Sequence, residues 1–566
     1  MGNSKDAQLD ATAQPKVFEP RDLSQQDPVF SLPDEPWTSM VETPCSFEPE
    51  YYQRVMLNLV RHPEIASTYL FRAEIFYDSF NDPEGTFVNH IKQEYKPHGC
   101  FVPGYELQQT IVRRMIPRNP QRDHPLVQTC HIFSSREESG IEKNLVIYIP
   151  HAESADEVPF YHPTVAALAF LHTWPSQSNT ATSPQQLGTF SIHYRLFSTH
   201  PLDHRLTRTA LSLLTLINKH SLGQKAGYTK RVHHDQIIPQ ARFQDTYTRL
   251  KATYAKPLID AWVEQTPPGK HVFEDLGIAA FLLELWSDMY AAPGAAAGDD
   301  KPPFPGFVDI GCGNGVLVHV LRQEGFRGWG FDARRRKTWD TFPAPVQTHL
   351  KELVLVPEAL RQGGADATDA APSLLETLRL DDDAASKFHN GVFDERTFII
   401  SNHADELTPW TPLLAYLSGS PFVAIPCCSH NFAGAKFRAP VQKQQKEERK
   451  KVDEGGKTGS LQQKKNGQPS AYATLCDWVA RLAADVGFVA EKEMLRIPST
   501  RNAGIIGRRR ERESEGEGLE ERMEVVRRLL VREMGGNVDG VGGLESMGRE
   551  WVERAGKLVK GVGGGH

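Results

Sequence analysis

The sequence has little cysteine: seven residues in 566, at positions 45, 100, 130, 312, 427, 428 and 476. An odd, scattered set without C-x-x-C spacing excludes a disulfide framework and argues against a structural zinc site, so no metal is expected. No stretch approaches the roughly 18–20 apolar residues of a membrane-spanning helix, and the opening MGNSKDAQLDATAQPK lacks the apolar core of a secretion signal. Gly2 invites myristoylation, but Asp6 stands where Ser or Thr is required. Positive charge is not in excess either. The 64 Lys and Arg against 71 Asp and Glu leave a net −7, so any nucleic-acid surface must be local. These absences point to a soluble protein of a reducing, intracellular compartment, with no membrane partner.

What is present is enough apolar material for sizeable cores: 39% hydrophobic residues and nine Trp. At roughly 100–200 residues per domain the chain has room for two to four. Gly (44) and Pro (39) are slightly enriched, which suggests long loops and tails. Residues 1–35 are polar, Pro-rich and expected to be disordered. Residues 36–225 alternate helical stretches with β-like runs such as 145–150 and 188–197, an α+β pattern. A helix over the LTRTALSLLTLINKHSLG stretch should close at Gly223. Residues 226–300 form a helical lead-in. In it the apolar positions 272, 276, 279, 283, 286 and 290 predict one buried helical face, with Glu274 and Asp275 in the first turn at the positive end of the dipole.

From 301 to 507 the rhythm becomes strand, glycine turn, helix, strand: GFVDI, then GCGNG, then VLVHVLRQEGF, then GWGFD. This is a βαβ unit and implies a parallel, Rossmann-like α/β sheet. FII (398–400) and PFVAIPCC (421–428) are further strands, and AEKEMLRIP with AGIIG suits a closing antiparallel hairpin. Two segments interrupt the domain: an acidic one at 361–389, and a basic one at 436–468 with ten Lys or Arg against four Asp or Glu. Residues 508–566 read as a charged tail.

The turn Asp309-x-Gly311-x-Gly313-x-Gly315 carries the chemistry. A dinucleotide fingerprint has its third glycine three residues after the second, and an anionic diphosphate would be repelled by the carboxylate before the turn. S-adenosylmethionine has no phosphate and bears a sulfonium and an ammonium, so that carboxylate helps. Asp332, 23 residues after Asp309, ends the second strand, where an acidic residue accepts from ribose hydroxyls. Asn314 and Asn402 complete the candidate cofactor contacts. Ser401-Asn402-His403-Ala404-Asp405-Glu406 follows the FII strand at its carboxyl end, where ligands of open α/β sheets lie. Pro426-Cys427-Cys428-Ser429-His430 ends the next strand.

The segments VDIGCGNGVLVHVL, GFDARRRKTWD, SNHADELTPW and IPCCSHNF, in that order, resemble the fungal and animal family of tRNA (uracil-2′-O)-methyltransferases, which act on uridine 44 of serine tRNAs. GYTKRVHHD (227–235), KHVFEDLGIAAFL (270–282) and LRIPSTRNAGIIG (495–507) share the resemblance, which runs from about 225 to 507 and more loosely back to about 50. It implies a cytoplasmic S-adenosylmethionine-dependent enzyme acting on tRNA. A ribose 2′-hydroxyl is a weak acid, so its departing proton needs an acceptor. Asp405 is the favoured candidate, because a nearby sulfonium keeps a carboxylate ionised; His403 comes next and Glu406 third. Candidate RNA contacts are Arg334, Arg335, Arg336 and Lys337 beside the cofactor strand and Lys230 and Arg231 with His233 and His234. Arg113 with Arg114 and the basic insertion are further candidates. Methylation of another RNA position or of protein, or a non-catalytic tRNA-binding role, are the competing readings.

Overall fold

The computed structural model describes residues 18–28, 36–119, 122–175, 188–228, 234–291, 301–360, 387–440, 470–511, 517–533 and 540–559. The chain divides into two compact units, residues 1–231 and 232–566.

In the first unit, strands rich in Ile, Val, Thr and aromatic residues pair into one antiparallel eight-stranded sheet. They are β1 (Arg21–Asp22), β2 (Thr38–Cys45), β3 (Leu70–Asp78), β4 (Glu106–Pro117), β5 (Leu126–Arg136), β6 (Ile141–Pro150), β7 (Ala167–Pro175) and β8 (Gly188–Arg195). The order is β1-β2-β8-β7-β6-β5-β4-β3, so consecutive strands from β3 to β8 are neighbours. Helix α1 (Pro49–Arg61) buries Tyr52, Val55, Met56, Leu59 and Val60. Helix α2 (His204–Lys225) buries Leu206, Ala210, Leu214 and Ile217 at helical spacing, and both join a core with Phe170, Phe190 and Tyr194 of the sheet. Asp203 caps α2 by accepting from the Leu206 N–H at 2.7 Å. The helix runs two residues past the expected stop at Gly223, whose carbonyl accepts from Tyr228 N–H at 2.9 Å.

This unit removes two predicted RNA contacts. Arg113 is 3% exposed and is consumed by the Gln128 side chain and the Leu59 and Val60 carbonyls that end α1. Arg114 pairs with Glu74 at 2.6 Å and with the Tyr95 hydroxyl. Adjacent basic residues on a strand point to opposite faces, and here both faces hold partners.

The sheet also buries histidines. His172 stacks on Phe47 and Tyr52 and bonds the Phe47 carbonyl, and His193 lies between Ser39 and Ser191. Burial pushes His151, His162, His172 and His193 each down to about 4. A histidine depressed in the folded state contributes stability that is complete above its unfolded pKa, near 6.5, and is lost as pH falls toward the folded value. The first unit should therefore lose stability steeply from pH 6.5 down to about 4, before most carboxylates titrate. Hydrogen exchange of β5–β8 amides in the full chain, measured at pH 7 and pH 5 and corrected for intrinsic rate, checks this; equal protection at both would refute it.

The second unit is a doubly wound α/β domain. Strands β9 (Phe307–Ile310), β10 (Gly328–Asp332), β11 (Leu350–Glu352), β14 (Phe398–Asn402) and β15 (Phe422–Ile425) run parallel, and β16 (Glu491–Met494) and β17 (Ala503–Gly507) close the sheet antiparallel. The order β11-β10-β9-β14-β15-β17-β16 reverses between β9 and β14, the place where such sheets bind ligands. Strands β12 (Val354–Leu355) and β13 (Phe388–His389) pair separately.

Helices α3 (Gln240–Leu250), α4 (Lys256–Asp260), α5 (Pro268–Met289), α6 (Val316–Gln323) and α7 (Ala344–Gln347) supply one side of the core. Helices α8 (Thr411–Leu417), α9 (Ala471–Asp485), α10 (Leu519–Glu533) and α11 (Gly540–Val559) supply the other. Two expectations need correction. Residues 508–566 are not merely a charged tail: Met523, Val526, Leu529 and Leu530 of α10 and Met547, Trp551, Val552 and Ala555 of α11 are buried with Trp410 and Trp478. Their charge pattern hides an apolar stripe at helical spacing. Helix α5 is not one-faced either. It is buried around most of its circumference, because α3 covers it on one side while Trp286 packs on Phe307 of β9 and Phe398 of β14. It starts at Pro268, so Glu274 and Asp275 lie beyond its first turn, 6% and 7% exposed.

Of the two insertions, 361–386 and 441–468 lie outside the described residues, as do residues 292–300 and most of residues 1–35.

Candidate active site

The site is built from three loop ends. After β9, Gly311, Gly313 and Gly315 all take positive φ (72°, 51° and 77°), which lets the chain double back into α6. After β10, Asp332 is fixed by two backbone donors: Gly313 N–H and Arg334 N–H, each at 3.1 Å. After β14, His403 (φ 52°) and Asp405 (φ 41°) occupy the left-handed region that side chains rarely adopt, a local strain typical of functional turns.

These loops and α5 enclose a cleft of about 620 Å³. Its floor is acidic. Asp309 is 1% exposed, and its Oδ1 has no hydrogen-bond partner. Burial, then the nearby Asp275 and Asp332, pushes its carboxyl well above the usual range. Asp275 accepts from the Asn314 and Asn402 amides, each at 3.3 Å. Burial raises it to about 7, opposed by the Asn314 hydrogen bond and reinforced by Glu274. The free Oδ1 of Asn402 is likewise buried without a partner.

S-adenosylmethionine fits this set. Its ammonium and sulfonium would be favoured by the acidic floor, where Asp309 Oδ1 has no donor of its own, and Asp332, held by backbone N–H groups, is placed where a ribose could bond its carboxylate. A diphosphate would face Asp275, Asp309 and Asp332 together.

The sequence as a whole agrees with that chemistry. Residues 237–357 match a family described as "Predicted AdoMet-dependent methyltransferase", and residues 14–231 match "TRM44-like, N-terminal bet v1-like domain". A tRNA (uracil-O(2)-)-methyltransferase of Neurospora crassa is 45% identical over 489 residues, covering 84% of this chain and 87% of its own. The Aspergillus oryzae protein of the same name is 38% identical over 98% of this chain and 96% of its own. That of Schizosaccharomyces pombe is 38% identical over 84% and 85%. The chain belongs to the tRNA (uracil-O(2)-)-methyltransferase family. No solved structure matches it.

In this family member, Asp309, Gly311, Gly313, Asn314, Asp332 and Asn402 all line the cleft, together with His403, Asp405 and Glu406. Gly315 does not; it caps α6, and a Cβ there would come within 3.1 Å of the Trp339 ring. Of the basic run, Arg334 and Arg336 border the cleft, and Arg336 lies 3.5 Å from Asp332. Arg335 pairs instead with Asp340 at 2.5 Å, and Lys337 begins a short helical turn outside the lining. Lys230, Arg231 and His233 lie outside the described residues. His234 is tied to the Met494 carbonyl at 2.5 Å, while the buried Glu493 accepts from the backbone N–H groups of Asp235, Gln236 and Ile237. That end of the basic segment serves to anchor the chain.

Among the lining side chains that sequence reasoning missed, three bear on the chemistry. Asp275 and Glu274 were read as dipole partners, and only their place in a helix buried on nearly every side turns them toward the cleft. Glu274 accepts from His403 Nε2 at 2.9 Å. Burial alone would raise Glu274, but the His403 hydrogen bond and neighbouring cations outweigh it and hold the carboxyl below the usual range. Arg501 is the third. It lies 3.8 and 3.6 Å from the Cys427 and Cys428 sulfurs, which with Asp405 form a group whose ligand atoms fall within 4.8 Å. Burial, then Cys428, lifts the Cys427 thiol to about 12, so it stays protonated. All seven cysteines are free.

Cation binding to carboxyl groups whose proton affinity is raised must displace protons. Affinity for S-adenosylmethionine should therefore increase from pH 6 to pH 8, by up to about tenfold per pH unit for each displaced proton below pH 7. Calorimetry in buffers of differing ionisation enthalpy reads the released protons. Asp275→Asn should flatten the dependence, and affinity that is constant or falls with pH would contradict the acidic-floor account.

Proposed function

We propose that this chain methylates the ribose 2′-oxygen of a uridine in tRNA, at position 44 of serine tRNAs, in the cytoplasm. The observation that carries the reading is identity of 38–45% with proteins named tRNA (uracil-O(2)-)-methyltransferase along most of both chains. It is joined to a cleft whose carboxyl groups suit a cation. The described residues contain no helix long and apolar enough to cross a membrane.

S-adenosylmethionine supplies an electrophilic methyl group on its sulfonium. The protein's task is alignment and proton removal; alignment in well-oriented systems is worth on the order of 7–11 kcal/mol. Asp309, Asp275, Asn402 and Asn314 are assigned to the charged end of the cofactor and Asp332 to its ribose. Arg334 and Arg336 at the rim are assigned to the substrate's phosphates, with Arg335 and Lys337 outside the lining as weaker candidates.

For the proton, the geometry supports His403 ahead of Asp405. With a proton on Nε2 donated to Glu274, the lone pair sits on Nδ1, a buried atom without a protein partner. Glu274 then stabilises the imidazolium that forms when His403 takes the 2′-hydroxyl proton. Asp405 remains the second acceptor on the same turn. Glu406, whose carboxyl burial raises, is the third candidate.

Two measurements test this. Labelled S-adenosylmethionine and total tRNA should yield label on a ribose at position 44 of serine tRNAs; label on another nucleotide, on protein alone, or none would refute the substrate assignment. His403→Ala should lower kcat by about 10²- to 10⁴-fold with unchanged cofactor affinity, whereas Asp405→Asn should cost less. The reverse ranking would return the role to Asp405.

A further inference from the structure

The acidic cleft adjoins a second compartment. A smaller, mostly apolar cavity of about 80 Å³ shares Gly311, Asp332, Ala333, Glu406 and Leu407 with it. Part of its wall comes from the strand region after β11, through Leu353. Another part comes from Trp551, Arg554 and Ala555 of α11, a helix outside both matched family regions, and Phe331, Val354, Leu355 and Gly434 complete it.

We propose that α11 completes the purine-binding end of the cofactor site. A flat, weakly polar base would seat between Ala333, Leu353 and Leu407 on one side and the 551–555 face of α11 on the other. The inference rests on the reading of the cleft as an S-adenosylmethionine site. Asp332 belongs to both compartments, so a ribose held there directs its base into the apolar one and its charged chain over Asp309 and Asp275.

The helix is a fixed wall. Trp551 donates its indole N–H to the Leu355 carbonyl at 2.8 Å and packs 5.8 Å from the Trp410 ring. Gly434, at φ 75°, sits so close beneath α11 that a Cβ would touch Arg554 at 3.4 Å and Trp551 at 3.5 Å. Along the buried stripe of α11 the side chains at 547, 551 and 555 are Met, Trp and Ala, and the cavity lies where the stripe turns small. Ala555, 3% exposed, therefore leaves the room that a base needs.

The test uses the full chain with S-adenosylhomocysteine and adenosine as probes. Ala555→Phe puts a ring where the base would lie and should weaken both by about tenfold or more, in a chain that still unfolds cooperatively in the absence of ligand. A folded Ala555→Phe chain that binds both probes as the unaltered chain does would overturn the proposal. Hydrogen exchange on the unaltered chain gives a second readout that does not depend on the variant folding. Saturating S-adenosylhomocysteine or adenosine should slow exchange over residues 548–557, and methionine alone should not. Protection at Gly311–Gly315 and Asp332 with none in α11 would refute the role of the helix while leaving the cofactor site intact. An unaltered chain that takes up no S-adenosylhomocysteine would overturn the cofactor reading and this proposal with it.

Discussion

The second unit is organised around a carboxyl group that the protein does not satisfy. Asp309 stands at the carboxyl end of the central strand, 1% exposed, with one oxygen unpartnered and two more acidic residues near enough to raise its proton affinity further. An unpaired buried polar group costs on the order of 1–3 kcal/mol, and a charged one more. A chain that keeps such a group has left an interaction for something else to complete. The neighbours define what that is: Asp275 and Asp332, and the amide side chains of Asn314 and Asn402, with Lys270, Arg334, Arg336 and Arg501 among the cations that line the cleft. The arrangement is poor for the empty fold and favourable for a cationic ligand, so ligand binding and stability of the domain are coupled.

How that arrangement is held follows from α5. Because α3 and the sheet cover the helix from opposite sides, consecutive residues 274–283 are all buried, acidic ones included. Asp275 meets Asn314 from the β9 turn and Asn402 from the β14 end, and Glu274 meets His403 one residue further on. The two carboxylates of one helix thus reach the cofactor turn and the proposed proton acceptor. Positive φ at His403 and Asp405 is the cost of turning the β14 loop back toward them, and Gly311, whose Cβ would come within 3.1 Å of Ala404, lets the two turns approach.

The legible parts of this domain were those with local causes. Strand, glycine turn and helix over 306–325, the second-strand carboxylate Asp332 and the closing hairpin depend on residues near each other in sequence, and each forms where the pattern puts it. The eight-stranded sheet of the first unit was visible only as isolated β-like runs, because its pairing order joins β2 to β8 across more than a hundred residues. Asp275 was hidden for a related reason. Periodicity identifies the most apolar face of a helix and is silent when the other faces are buried too. Arg113 shows the converse: a basic pair that reads as an RNA contact is spent on the carbonyls that end α1, a demand no local pattern announces.

The charged C-terminal stretch extends the same lesson to energetics. Its frequent Glu and Arg residues dominate composition, yet four residues of α10 and four of α11 enter the core with Trp410 and Trp478, and Arg481 binds Glu533 at 2.7 Å across the join. Burying those apolar side chains is worth roughly 1.5–3 kcal/mol for each large one, far more than any exposed ion pair along the helices. The segment is therefore integral to the domain on energetic grounds. An element so anchored beside Gly311 and Asp332 cannot move without disturbing the smaller cavity that shares those two residues with the cleft, which ties the integrity of the fold's last helix to the chemistry at the end of its central strand.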